Sequence, residues 1–261
     1  MKNLIKAQIY QIMHTRVYFL VFFTLVLISG FFGASEYLNG ADSLDEGQLL
    51  TASDLATRMQ WLSVFATAGI SFFASFICAD DYFDKTANNE LTSGRMRKQS
   101  YFARAALTII ICLIYEIIMI AVPLIVAAVL TGWGDSLPVS AVIKRFLLLL
   151  FPYFRFTCLF IMIAYIIKRP GFAFLADYML INGIGLINSK DKSGVVMGMN
   201  TINNIMHFDE WHVFGLECEA KMVYLTQLDG GFIARCMIVS TLMGIAYLAI
   251  GYSYFHKDDL E

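Results

Sequence analysis

The run "AALTIIICLIYEIIMIAVPLIVAAVL", residues 105–130, carries a single acidic or basic side chain, Glu116. Few folds are open to such a segment. About 20 helical residues cross the ~30 Å hydrocarbon core of a bilayer. Lipid offers backbone N–H and C=O groups nothing, so they must pair within the segment itself. Five further runs come close to the same length: 17–34, 61–79, 146–167, 171–187 and 232–255. The weakest is 171–187, which Asp177, Asn182, Gly183 and Gly185 interrupt. The ten-residue alternation of barrel strands is absent from the sequence. The expectation is an all-α membrane protein: one transmembrane domain of six helices over residues 1–261.

Composition agrees, with 58% hydrophobic and 15% charged residues, against roughly 25% charged in average soluble domains. A net charge of -2 excludes the strongly basic balance of a nucleic-acid binder, so no nucleic-acid partner is expected. Lys2 and Lys6 precede an apolar stretch, as in a signal peptide, but residues 1–16 have a helical pattern of their own. Leu4, Ile5, Ile9, Ile12 and Met13 read as one face, with Lys2, Lys6, Gln11 and His14 as the other. This predicts an amphipathic helix in the headgroup layer leading into an uncleaved first span.

Basic residues set the orientation. With the N-terminus inside, the cytoplasmic loops collect Lys2, Lys6, Arg16, Lys85, Arg95, Arg97, Lys98, Arg104, Lys168, Arg169 and Lys257. The first outer loop is mainly acidic, through Glu36, Asp42, Asp45, Glu46 and Asp54. Both termini are therefore expected in the cytoplasm of a multi-pass cell-membrane protein. The outer segment 188–231 is long for a bare loop, and its apolar residues predict short interfacial helices.

The five cysteines show no CxxC or metal-ligand spacing. Cys78, Cys112 and Cys158 read as small hydrophobes, and Cys218 and Cys236 as a pair able to meet on the outer side. His207 and His212, with Asp209 and Glu210 between them, match no established zinc spacing, and Ser193 has no orienting group for hydrolysis. Neither a metal, a cofactor bound by this chain nor an enzyme activity is expected.

One dense polar segment, 80–104, separates the second and third runs. It lacks the Gly-rich cradle and following Lys of a nucleotide site. It begins with Asp80 and Asp81, passes through Asn89, Glu90 and Leu91, continues as Gly94-x-x-Arg97, and leads to Tyr101 and Arg104. That order resembles the loop between the second and third spans of ABC-2 type transporter permeases. An acidic start, an Asn-rich turn, Gly-x-x-Arg and a Tyr opening the next helix are common there. The resemblance extends more loosely to the N-terminal helix, the six spans and the outer segment before the last one. It implies that Asp80, Asp81, Glu90, Leu91, Gly94, Arg97 and Tyr101 belong to a coupling segment docked on a separate ABC ATP-binding subunit. ATP and Mg²⁺ would be held there, and a second permease subunit, alike or different, would complete an exporter. The small outer segment leans towards a peptide or other amphiphile as cargo.

Glu116, Arg155 and Asp177 fall inside spans, where each costs at least about 2.5 kcal/mol at a helix centre. Counting about 1.5 Å per residue from the cytoplasmic ends puts Glu116 and Arg155 both near 17 Å deep. An ion pair between them is expected, either as a static clasp or as part of a gate, with Pro152 about one turn away. Asp177 is expected to reach Lys168 or Arg169. The same three residues would serve a nucleotide-independent carrier or channel, and a structured outer segment would also suit a receptor or sensor.

Overall fold

The computed structural model describes residues 2–42, 51–57, 62–83, 96–135, 137–187, 209–212, 221–224 and 230–257. The elements run α1 (Lys2–His14), α2 (Arg16–Asp42), α3 (Ala52–Thr57), α4 (Leu62–Phe83), α5 (Arg97–Thr131), α6 (Val139–Ile167), α7 (Pro170–Ile187), β1 (Asp209–His212), β2 (Lys221–Tyr224) and α8 (Gly230–Lys257). The protein is a multi-pass membrane protein built of helices. Among the described residues, α4, α5, α6 and α8 are each long and apolar enough to cross a bilayer, and α1 with α2 adds a fifth candidate as a bent pair. The run expected as the weakest span forms α7, whose 18 residues reach about 27 Å at 1.5 Å each, short of the ~30 Å core.

At the junction of α1 and α2 the axis turns by 66°, and Thr15 stands at the turn. Its hydroxyl donates to Gln11 O at 2.8 Å, closing α1, while its carbonyl accepts from Tyr18 N at 3.2 Å, opening α2. A side chain that bonds back to the preceding turn in this way bends a helix. Gln8 is buried, Ile5 and Ile12 are half-buried, and Ile9 and Met13 are exposed. The inward stripe of α1 is therefore Ile5, Gln8 and Ile12. Lys6, assigned to the polar face from sequence, stands only about 20° from Met13 around the helix, because seven residues make almost two turns.

The centre of the bundle is α4 and α6, with α5 and α7 packed on α4 and α8 laid mainly along α6. Cys112 on α5 approaches Ile70 O, and the Tyr115 hydroxyl donates to Phe65 O at 3.1 Å. Both tie α5 to α4. At one end, Gly132 closes α5 with a positive φ of 79°, and its carbonyl accepts from Ala52 N while Trp133 O accepts from Ser53 N, pinning α3. The starts of α2, α5 and α7 and the ends of α4, α6 and α8 gather at the other end. Most of the described basic side chains, Lys6, Arg16, Arg97, Lys98, Arg104, Lys168, Arg169 and Lys257, belong to it; it is called the basic end below.

Tyr101 is expected to open the helix of the third run, and α5 begins one turn before it, at Arg97, two turns ahead of the apolar run itself. Ser100, Tyr101 and Arg104 are all buried, at the i, i+1, i+4 spacing of one helix face, and that burial extends the helix by two turns. In the outer segment, 209–212 and 221–224 are not helical but pair as an antiparallel ribbon, Asp209 opposite Tyr224 and His212 opposite Lys221. Isolated helices below about 12 residues are marginal, whereas Val223 and Tyr224 favour an extended chain.

Candidate functional site

At the basic end the exit of the polar segment is knotted into the bundle. The Tyr101 side chain is fully buried, and its hydroxyl donates to Leu248 O on α8 at 2.8 Å. Its ring packs on Tyr165 of α6, with centroids 4.7 Å apart, and on Tyr252 and Phe255 of α8. Gly251 makes room for it: a β-carbon there would stand 2.7 Å from the Tyr101 hydroxyl and 3.2 Å from Met162 Cα. One turn earlier, Arg97 Nη1 donates to His256 O at 3.0 Å. Arg97 and Tyr101 thus fasten the start of α5 to the last turns of α8. Tyr101 is an internal strut and has no surface to offer a docked protein.

The other end of the segment is held less directly. Asp80 on α4 and Arg104 on α5 line one cavity with Gln8 and Gln11 of α1. Its volume of about 20 Å³ is the room a single bridging water takes. Neither side-chain atom of the Gln8 amide has a protein hydrogen-bond partner among the described residues. Asp81 lies in the last turn of α4. Glu90, Leu91 and Gly94 lie outside the described residues, as do Ser193, His207 and Cys218. Among the described residues no cluster of His, Cys, Asp and Glu could hold a metal.

The three intramembrane charges do not meet as expected. Glu116 is fully buried in α5, and neither of its carboxylate oxygens has a hydrogen-bond partner among the described residues. Its electrostatic neighbours are Tyr115, Cys112 and, across the seam on α6, Tyr153. Arg155 instead turns to α8, where Nη1 lies 3.8 Å from Met243 Sδ and where Tyr247 and Cys236 feel its charge. Helical phase explains the miss. Two residues advance an α-helix by about 200°, so a helix that presents Tyr153 to Glu116 presents Arg155 to the opposite side. The depth estimate from sequence said nothing about rotation.

Asp177 is also corrected. It does not reach back to Lys168 or Arg169 but crosses to α4, where Oδ2 accepts from Ser75 Oγ at 2.8 Å and from Ser71 Oγ at 3.3 Å. The hydroxyls are four residues apart on one face of α4 and converge on one oxygen. That spacing, two small donors beside a run with one acid, was a signal the sequence offered and the reading missed. Gln8 carried a weaker signal, as a polar residue flanked at i−3 and i+4 by isoleucines.

The arrangement comprises a buried polar seam braced through one oxygen of Asp177, a buried carboxylate with no hydrogen-bond partner among the described residues (Glu116), an arginine aimed at the outermost helix (Arg155) and an aromatic strut at the basic end. A scan against models of known protein families finds no match to this chain, and neither does a search of curated proteins.

Proposed function

We propose that the chain is the permease subunit of an ATP-driven exporter of the ABC-2 type, embedded in the cell membrane. In this reading α7 serves as a sixth crossing, both termini face the cytoplasm, and the basic end is the cytoplasmic end, as the positive-inside rule favours. A separate ATP-binding subunit, holding ATP and Mg²⁺, docks on the segment between Asp80 and Arg97. A second permease unit completes the route for a peptide or other amphiphile. The observation that carries the reading is the strut. A force applied between the end of α4 and the start of α5 passes through Arg97 and Tyr101 into α8 and through the Tyr165 ring into α6. A segment with no mechanical task would not require this bracing. Asp80, Asp81, Glu90, Leu91, Gly94 and Arg97 would be the contacts, and Tyr101 the transmitting residue.

The test is co-purification. The tagged chain, gently solubilised from its native membrane, should bring with it a soluble ATPase identified by mass spectrometry. Variants at Glu90 and Gly94 should lose it while keeping the chain's own elution profile. Recovery of the chain alone, with its membrane activity intact, would defeat the proposal.

One observation favours a second reading, a nucleotide-independent carrier. An acid buried in hydrocarbon with no protein donor is expensive, and intramembrane acids of this kind mark proton or ion routes. Glu116 fits that description. Flux across vesicles holding the purified chain alone, without nucleotide and abolished by Glu116→Gln, would establish the carrier.

A further inference from the structure

The bend between α1 and α2 opens a lateral groove against α5, with a volume of about 380 Å³ and a wholly apolar lining. Ile9 and Met13 of α1 form its mouth, Phe19 and Phe23 one wall, and Ile110 and Ile114 of α5 the other. It extends along α5 from Leu107 to Ile118, which at 1.5 Å per residue is about 16 Å. One leaflet of hydrocarbon is about 15 Å deep, half of the ~30 Å core. The groove therefore runs from the headgroup level at the basic end to roughly the bilayer midplane, the track of one acyl chain.

The charges on the helix faces that line it say which lipid. Lys6 precedes Ile9 and Met13 by three and seven residues, and Arg16 precedes Phe19 and Phe23 by the same intervals. Residues spaced by three and seven share a helix face, so each basic side chain stands on the face whose apolar residues line the groove. Both are exposed, and neither pairs with a carboxylate among the described residues. The 66° bend brings the two faces around one concavity. A phosphate at that level would find two uncommitted cations above an apolar channel of one leaflet's depth.

We propose that this groove is a binding site for one anionic glycerophospholipid of the leaflet at the basic end, with an acyl chain in the channel and the phosphate held by Lys6 and Arg16. The site does not depend on whether an ATPase docks nearby. Bulk lipid wets every outward face of the bundle, and here a concave apolar track coincides with two basic residues on the faces that line it.

Native mass spectrometry of the purified chain in mixed micelles, with phosphatidylglycerol and phosphatidylcholine at equal concentration, tests it. The wild type should retain one phosphatidylglycerol in preference to phosphatidylcholine. The double variant Lys6→Gln/Arg16→Gln, which alters only exposed side chains, should lose that preference by roughly tenfold or more, given what a basic residue near an anionic surface contributes. Ile114→Trp, filling the channel, should reduce retention of both lipids. Equal retention of the two lipids by the wild type would overturn the proposal, as would a preference that survives the charge removal. So would a dimer that Ile114→Trp dissociates while lipid retention is untouched, which would give the groove to a second copy of the chain.

Discussion

Asp177 and Glu116 are both fully buried acids in apolar helices, yet the seams that hold them are built differently. Where α7 meets α4, two serine hydroxyls reach Oδ2 of Asp177, while its Oδ1 has no partner among the described residues. Where α5 meets α6, Glu116 has aromatic and thiol neighbours but no donor for either oxygen among the described residues. The difference separates a polar group that contributes to packing from one that packing must tolerate. Buried polar groups are worth about 0.5–1.5 kcal/mol when satisfied and cost about 1–3 when orphaned. The α4–α7 seam should therefore depend on its acid, and the α5–α6 seam should be relieved by losing its own.

The largest effect is expected one residue from Glu116, where α5 meets α4, from a change that tests how tightly that neighbouring contact is filled. Gly69 on α4 faces the Tyr115 ring, and a β-carbon there would overlap it. Gly69→Ala must displace the ring and break its bond to Phe65 O, at a cost of about 3 kcal/mol from overpacking and the lost hydrogen bond together. Denaturant unfolding in detergent measures it. A change below about 1 kcal/mol would mean that the α4–α5 contact next to Glu116 is loosely filled, and the contrast with Asp177 would weaken. Next in size, Asp177→Ala should cost about 2 kcal/mol, since it strips two buried donors of their acceptor. A neutral result would mean that the serines satisfy themselves on their own helix and that the α4–α7 seam is held by apolar contact alone.

How far these seams were legible follows from what periodicity encodes. Apolar runs announced α4, α5, α6 and α8 because length and hydropathy are properties of a stretch, read without knowing its neighbours. Tyr101 was found by its place in a motif, but its role was not. Its burial depends on Gly251, about 150 residues away, and no local pattern couples the two. Arg155 was assigned the wrong partner because depth along a helix can be counted from sequence while rotation about it depends on which helix packs where. α7 shows the limit from the other side. Its polar interruptions made it the weakest span, and Asp177 among them is matched by Ser71 and Ser75 on a helix a hundred residues earlier. Glu90, Leu91 and Gly94 lie outside the described residues.

Glu116→Met sharpens the comparison by reversing its sign. A methionine of similar shape removes the orphaned carboxylate, and replacing a buried unpaired polar group by an apolar one is neutral to stabilising, here by about 1 kcal/mol. The unfolding midpoint should rise, whereas Asp177→Ala lowers it. Destabilisation by Glu116→Met as large as that of Asp177→Ala would show that Glu116 has a donor after all and that the two seams are alike.

The smallest prediction tests the Asp177 seam from within. Side-chain hydrogen bonds between membrane helices average about 0.6 kcal/mol, with a maximum near 1.7. Distance should rank the two donors, because Ser75 Oγ stands 2.8 Å from Asp177 Oδ2 and Ser71 Oγ stands at 3.3 Å, also lying 3.5 Å from Phe174 O. Ser75→Ala should cost about 1 kcal/mol and Ser71→Ala about half that. In a double-mutant cycle with Asp177→Ala, the coupling should be larger for Ser75. The reverse order would place the working bond on Ser71, about one turn earlier along α4, and would shift the seam's strongest point by about 6 Å along that helix.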